Sequence, residues 1–159
     1  MENRIVTKRI YQAPVTLVWK AWTDPELVKK WWGPDKFSCH HATIDFREGG
    51  VSVVSMKAPA EFGGKEWFNH WEYRKIVPLE RIEFDQSFCD KEGKKIRPAE
   101  AGMPPDFPAI VFTVVTFKDL GNGKTETTVI QHADMGQMTR NAKMGMEQSL
   151  GKMDRLFNN

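Results

Sequence analysis

The strongest constraint on this chain lies at its C-terminal end. Apolar residues recur at Met135, Met138, Ala142, Met146, Leu150, Met153 and Phe157, always three or four positions apart. That spacing draws one continuous apolar stripe along a helix. Asp134 followed by Gln137 reads as a capping box at its start. A helix with such a stripe must bury it against something, and the rest of the chain says what. Period-two patterns predict strands over 4–12, 37–46, 51–56, 66–76, 81–89, 109–118 and 125–132. The cleanest sets Ile82, Phe84, Gln86 and Phe88 against Arg81, Glu83, Asp85 and Ser87. Glu48-Gly49-Gly50 and Leu120-Gly121-Asn122-Gly123 supply tight turns, where glycine and asparagine accept positive φ. Short connections between successive strands imply antiparallel pairing.

Two short helices interrupt this series after the first strand. Ala13-Pro14 opens one, with Leu17, Val18, Ala21 and Trp22 as its apolar stripe. Thr23-Asp24-Pro25-Glu26 starts the other. Trp31-Trp32-Gly33-Pro34 ends it, since glycine suits a left-handed cap and proline forbids continuation. The expected fold is therefore α+β: a curved antiparallel sheet of six to seven strands around a long C-terminal helix. A sheet that wide twists and curls, so the helix lies in a concave groove.

Size fits that architecture. The 159 residues suit one domain over 1–159, one able to bury roughly 70% of the surface its unfolded chain exposes. Neither disulfide nor metal is needed for stability. Six Trp and ten Phe fit a large core, or a core with a hole in it. The 23 basic and 21 acidic residues are interspersed, for a net charge of +2. Nucleic acid would want a concentrated basic face, so it is not an expected partner, and Lys91-Glu92-Gly93-Lys94-Lys95 reads as a solvated turn. Cys39 and Cys89 match no redox or zinc spacing. No apolar signal core and no stretch near the roughly 20 apolar residues of a membrane span occur. No membrane insertion and a cytoplasmic location are the expectations.

A helix across a curled sheet can leave space between the layers. The stripe that would face this space carries four methionines, whose unbranched side chains adapt to irregular shapes. They either fill a core or line a cavity, and concave apolar sites are where small ligands bind. Gly145 and Gly151 permit close sheet contact or ligand access, or else lie on the outside. The irregular stretch 90–108 holds Pro98, Pro104, Pro105 and Pro108. It reads either as a surface insertion or as a lid carrying Met103 and Phe107 over a pocket mouth.

Several segments resemble one family. Ala13-Pro14 with Val18-Trp19 and Ala21-Trp22-Thr23-Asp24-Pro25, then Trp31-Trp32-Gly33-Pro34, are similar to its opening. Asp45-Phe46-Arg47-Glu48-Gly49-Gly50, Val77-Pro78 with Glu80-Arg81-Ile82, and Thr113-Val114-Val115-Thr116-Phe117 follow in its order. Gly145 and Ser149-Leu150 with Lys152-Met153 resemble its closing helix. The family is the activator of heat-shock-protein-90 ATPase homologues, in the START and birch-pollen-allergen-like (SRPBCC) superfamily. The resemblance implies a helix-grip fold with an internal hydrophobic cavity, lipid binding and a stress-response setting. Relatives usually carry Trp after the position of Gly145, where this chain has Met146. Many have Gly in place of Trp71 and proline in place of Leu79. The family's eukaryotic co-chaperones place this domain behind a separate N-terminal one, whereas this sequence opens on the first strand, so a chaperone is the weaker expectation for a partner.

Catalytic patterns are absent: there is no HExxH, GxSxG, P-loop or GxGxxG. His40 and His41 are neighbours and would point to opposite faces of a strand. Cys39 and His41 could share a face, though a half-buried thiol beside a surface imidazole reads the same way. His70, Glu72 and Arg74 share one face of a strand whose other face carries Trp67, Trp71 and Tyr73. Facing a cavity the trio could do acid–base work; facing out, it is a solvated network. The expectation is a binding protein without catalytic residues, metal or cofactor. Its ligand would be a small hydrophobic molecule, lipid-like or aromatic, held by Trp32, Phe37, Trp67, Trp71, Phe88, Met103, Phe112 and Met146. A cyclase- or hydrolase-type enzyme and a chaperone-regulating module are the alternatives.

Overall fold

The computed structural model describes residues 3–157. Seven strands form one antiparallel sheet: β1 (Ile5–Tyr11), β2 (Ala42–Thr43), β3 (Val51–Lys57), β4 (Glu66–Val77), β5 (Arg81–Cys89), β6 (Val111–Gly121) and β7 (Lys124–His132). Their order across the sheet is β1-β7-β6-β5-β4-β3-β2. Apart from β1, each strand pairs with its neighbour in sequence, as hairpin connections require. The β6–β7 turn places Asn122 at φ 55° and Gly123 at φ 72°, the doubly positive geometry that matches the twist of the flanking strands.

The helices α1 (Val15–Thr23), α2 (Pro25–Trp31) and α3 (Thr139–Met153) pack on the concave face of the curved sheet. Asp24 caps α2 by accepting from the Glu26 amide at 2.9 Å. Gly33, at φ +107°, turns the chain away after α2. α1 buries Val18, Ala21 and Trp22, but Leu17 is exposed, because the inward stripe runs through Val15, Val18, Trp19 and Trp22 and Leu17 lies off its edge.

α3 is shorter than the stripe predicts. Single 3-10 turns at Gly136–Met138 and Asp154–Leu156 flank it. The predicted capping box is not formed. The Asp134 carboxylate accepts from the Gly136 amide at 2.8 Å, bending the chain at a residue whose φ is +57°, and α3 starts at Thr139 without a side-chain cap. The apolar face still points inward: Met135, Met146, Leu150 and Met153 are buried. The Tyr11 hydroxyl on β1 donates to the Leu150 carbonyl at 2.8 Å, fixing α3 along the sheet.

The predicted strand 37–46 is also reduced, to Ala42–Thr43 paired with Val53 and Val54 and a single bridge from Ser38 to Lys57. Lys36 takes φ 71° at its start, so the segment enters the sheet obliquely.

The core between the layers is aromatic. Trp31 sits between Trp22 and Trp32, with ring centroids 4.6 and 5.7 Å away. Trp71 reaches Phe84 and Trp32 at 4.9 and 5.0 Å. The Trp31 indole donates to the Ala21 carbonyl at 2.8 Å, which ties α2 to α1.

Candidate functional site

The core does not fill the whole groove. Between the N-terminal half of α3 and the middle of the sheet lies a pocket of about 310 Å³. Strand parity makes its floor. On β4, Trp67 and Asn69 point into the groove, and on β5 so do Gln86 and Phe88; Gln131 enters from β7. The roof is α3 and its leading turn, through Met135, Met138, Ala142 and Met146. Trp32, Pro34 and Phe37 close one side, and Met56 reaches up from β3.

The irregular segment between β5 and β6 forms the remaining wall, with Met103 and Phe107. It is held in place. The Ala101 carbonyl accepts from the Trp67 indole at 2.9 Å and from Lys65 Nζ at 3.0 Å. The Phe107 and Phe88 rings lie 5.6 Å apart. Phe107 also packs into a second apolar cluster around Ile5, Val111 and Met135.

The opposite rim is held by a lysine. Lys152 Nζ donates to the carbonyls of Gly33, Pro34 and Phe37 at 3.0, 3.2 and 3.0 Å. These charge-assisted bonds bind α3 to the loop after α2. Burial holds the Lys152 ammonium below its ordinary pKa, against the pull of Asp35.

Of the eight predicted ligand-contacting residues, six line the pocket: Trp32, Phe37, Trp67, Phe88, Met103 and Met146. Trp71 and Phe112 lie elsewhere. Trp71 faces inward but is sealed among Trp22, Trp32 and Phe84, with 1% of its surface exposed. Phe112 has the wrong parity. Val111, Thr113, Val115 and Phe117 are the buried positions that alternate with it, so Phe112 points to the outer face beside His132, with rings 5.5 Å apart. Gly145 lines the pocket opposite Pro34, where a Cβ would meet Pro34 Cγ at 3.4 Å, while Gly151 faces Arg9.

Sequence reasoning passed over Asn69, Gln86 and Gln131. All three line the floor. Gln86 stood in the inward-facing set of its strand, and Asn69 shares parity with Trp67 and Trp71, so the signal was present.

No Asp, Glu, Lys, Arg or His belongs to the lining. The trio His70, Glu72 and Arg74 occupies the outer face of the sheet. Arg74 Nε donates to Asp85 at 2.7 Å, and Glu72 lies 3.9 Å from Lys95. His70, 8% exposed, is opposite Val53 and Ser87. Burial holds its imidazole below the usual range, and Lys95 adds to this. The Cys39 thiol donates to the His41 carbonyl at 3.4 Å rather than meeting its ring, and burial raises its pKa. Among the described residues no three His, Cys, Asp or Glu side chains gather where they could hold a metal ion, and no helix is long and apolar enough to cross a membrane.

Residues 12–158 match the family described as Activator of Hsp90 ATPase homolog 1-like protein. No curated protein matches the chain. A protein from Chromobacterium violaceum is similar in structure, with TM-score 0.78 and 26% identity over 97% of this chain and 96% of its own. An AHSA1 protein from Silicibacter pomeroyi shares the fold at TM-score 0.75 and 13% identity, over 98% of this chain and 97% of its own. DynU16, a protein of the dynemicin biosynthetic locus, does so at TM-score 0.69 and 23% identity; 99% of this chain covers 48% of that one.

Proposed function

The chain belongs to the Activator of Hsp90 ATPase homolog 1-like protein family, and from that premise we propose that it is a binding protein, one helix-grip unit holding a small, largely apolar molecule between sheet and α3. One observation carries the reading. The pocket is walled by aromatic and methionine side chains, with amides as its main polar groups and no ionisable side chain in its lining. Such a wall favours a neutral guest, because a charged one would lose water and gain no counter-charge. The driving force is apolar burial, about 25 cal/mol per Å² before ordering costs. Methionines let the roof adjust to guests of different outline. A cytoplasmic place of action agrees with two cysteines that are both free and buried.

The cyclase or hydrolase alternative needs titratable groups in the pocket, and its best candidates, His70, Glu72 and Arg74, sit on the other side of the sheet. The chaperone reading rests on family membership alone.

Titration with the neutral dye Nile red tests the proposal. Binding should quench tryptophan emission from Trp32 and Trp67 and saturate at one dye per chain. A dye that fails to bind, or binds without saturating, contradicts the proposal.

A further inference from the structure

The floor of the pocket carries hydrogen-bonding groups left unmade. Gln86 Nε2 donates to Asn69 Oδ1 at 3.2 Å. Asn69 Nδ2 and Gln86 Oε1 then have no partner among the described residues, and neither has Gln131 Oε1 or the Trp32 indole N–H. These groups are not at the surface: Asn69 is 2%, and Gln131 and Trp32 are each 5% exposed. Buried polar groups are normally paired, and each exception calls for a reason.

The Asn69–Gln86 pair leaves one donor and one acceptor free in either orientation that keeps its own hydrogen bond. Reversing both swaps donor and acceptor within the pair and again leaves one N–H and one carbonyl oxygen free. Reversing one alone would set like against like. The floor therefore offers an adjacent donor and acceptor, both neutral, beneath apolar walls.

We infer that the pocket selects a flat, neutral, aromatic guest bearing a donor and an acceptor on one carbon, as in a carboxamide or lactam, and that Asn69 and Gln86 read that end. The inference rests on the binding function proposed above and adds the ligand's class. The guest's carbonyl accepts from Asn69 and its N–H donates to Gln86, while its ring lies among Trp67, Phe88 and Met146. A carboxylate in the same place brings no donor to Gln86 and finds no cation.

The test compares 2-naphthamide with 2-isopropylnaphthalene, which has the same outline without the polar atoms, and with 2-naphthoate. Dissociation constants are measured on the wild type and on Asn69→Leu/Gln86→Leu. The double change should weaken 2-naphthamide at least about tenfold, the scale of one buried hydrogen bond lost, and leave 2-isopropylnaphthalene unchanged or tighter. Wild type should hold 2-naphthoate at least about tenfold more weakly than the amide. The double variant should melt no lower than wild type, because it removes two polar groups whose bonds are incomplete.

Unchanged amide binding in the variant, equal loss of both neutral probes, a lower melting temperature or tighter binding of 2-naphthoate overturns the inference. If neither neutral probe binds the wild type, the binding function itself fails. Gln86→Met, which keeps the side chain's length and removes its amide, repeats the measurement with minimal change of shape and should weaken the amide probe alone.

Discussion

Met146→Trp should abolish high-affinity binding of Nile red while leaving the protein folded. Met146 sits on the inner face of α3, 7% exposed, and its side chain forms part of the roof. An indole there extends into space that the methionine leaves open, toward Trp32 and the floor. Removing roughly 100 Å² of apolar contact from a guest costs about 2.5 kcal/mol at ~25 cal/mol per Å², or roughly seventyfold in affinity. The helix tolerates the change because the new ring fills a void instead of displacing packed neighbours. The check is a dye titration beside a thermal melt. Affinity within threefold of wild type, in a variant that melts normally, would mean that the dye sits elsewhere.

Trp71→Ala should be the most destabilising single change considered. The side chain is 1% exposed and its ring contacts Trp22, Trp32 and Phe84 at centroid distances of 6.1, 5.0 and 4.9 Å. Truncating a buried tryptophan typically costs about 3–5 kcal/mol, because lost contacts and the cavity left behind add together. Native domains hold only about 5–15 kcal/mol in total, so the urea midpoint should fall far. Trp71 joins α1, α2 and β5 from beneath the pocket, and its role is support of the floor rather than contact with a guest. A loss under about 1 kcal/mol would contradict the packing described here.

Both residues show how far the sequence could be read. Period two along β5 identified Ile82, Phe84, Gln86 and Phe88 as one face, and the three-and-four spacing after Met135 identified the helix that crosses it. Local geometry alone sets those signals, so the fold was legible. Trp71 was placed on the inner face by the same rule, but parity cannot say how deep a side chain lies. Depth depends on α1 and α2, which bring Trp22 and Trp32 against it. Phe112 was misplaced by one position because Val111–Phe117 carries apolar residues at both parities, and such a run has no readable alternation. The capping box failed for a different reason. Asp134 found a nearer amide at Gly136, in a turn that glycine makes cheap.

The amides of the floor were the hardest part to see. Asn69, Gln86 and Gln131 come from three strands, and only β-pairing brings Asn69 and Gln86 together across the β4–β5 ladder. No short motif can encode that meeting. The lysine that holds the rim had the same obscurity: Lys152 is more than a hundred residues from the carbonyls it binds.

Methionine methyl groups offer the most direct test of the central claim. Of eight methionines in the chain, Met56, Met103, Met135, Met138 and Met146 line the pocket, while Met144 lies on the outer face of α3, 49% exposed. Methyl-labelled protein titrated with 2-naphthamide should show shifts at Met103, Met138 and Met146 that saturate together, and a stationary Met144. Movement of Met144 with Met103 and Met146 fixed, or no shift at any methionine at a saturating excess, would contradict the account.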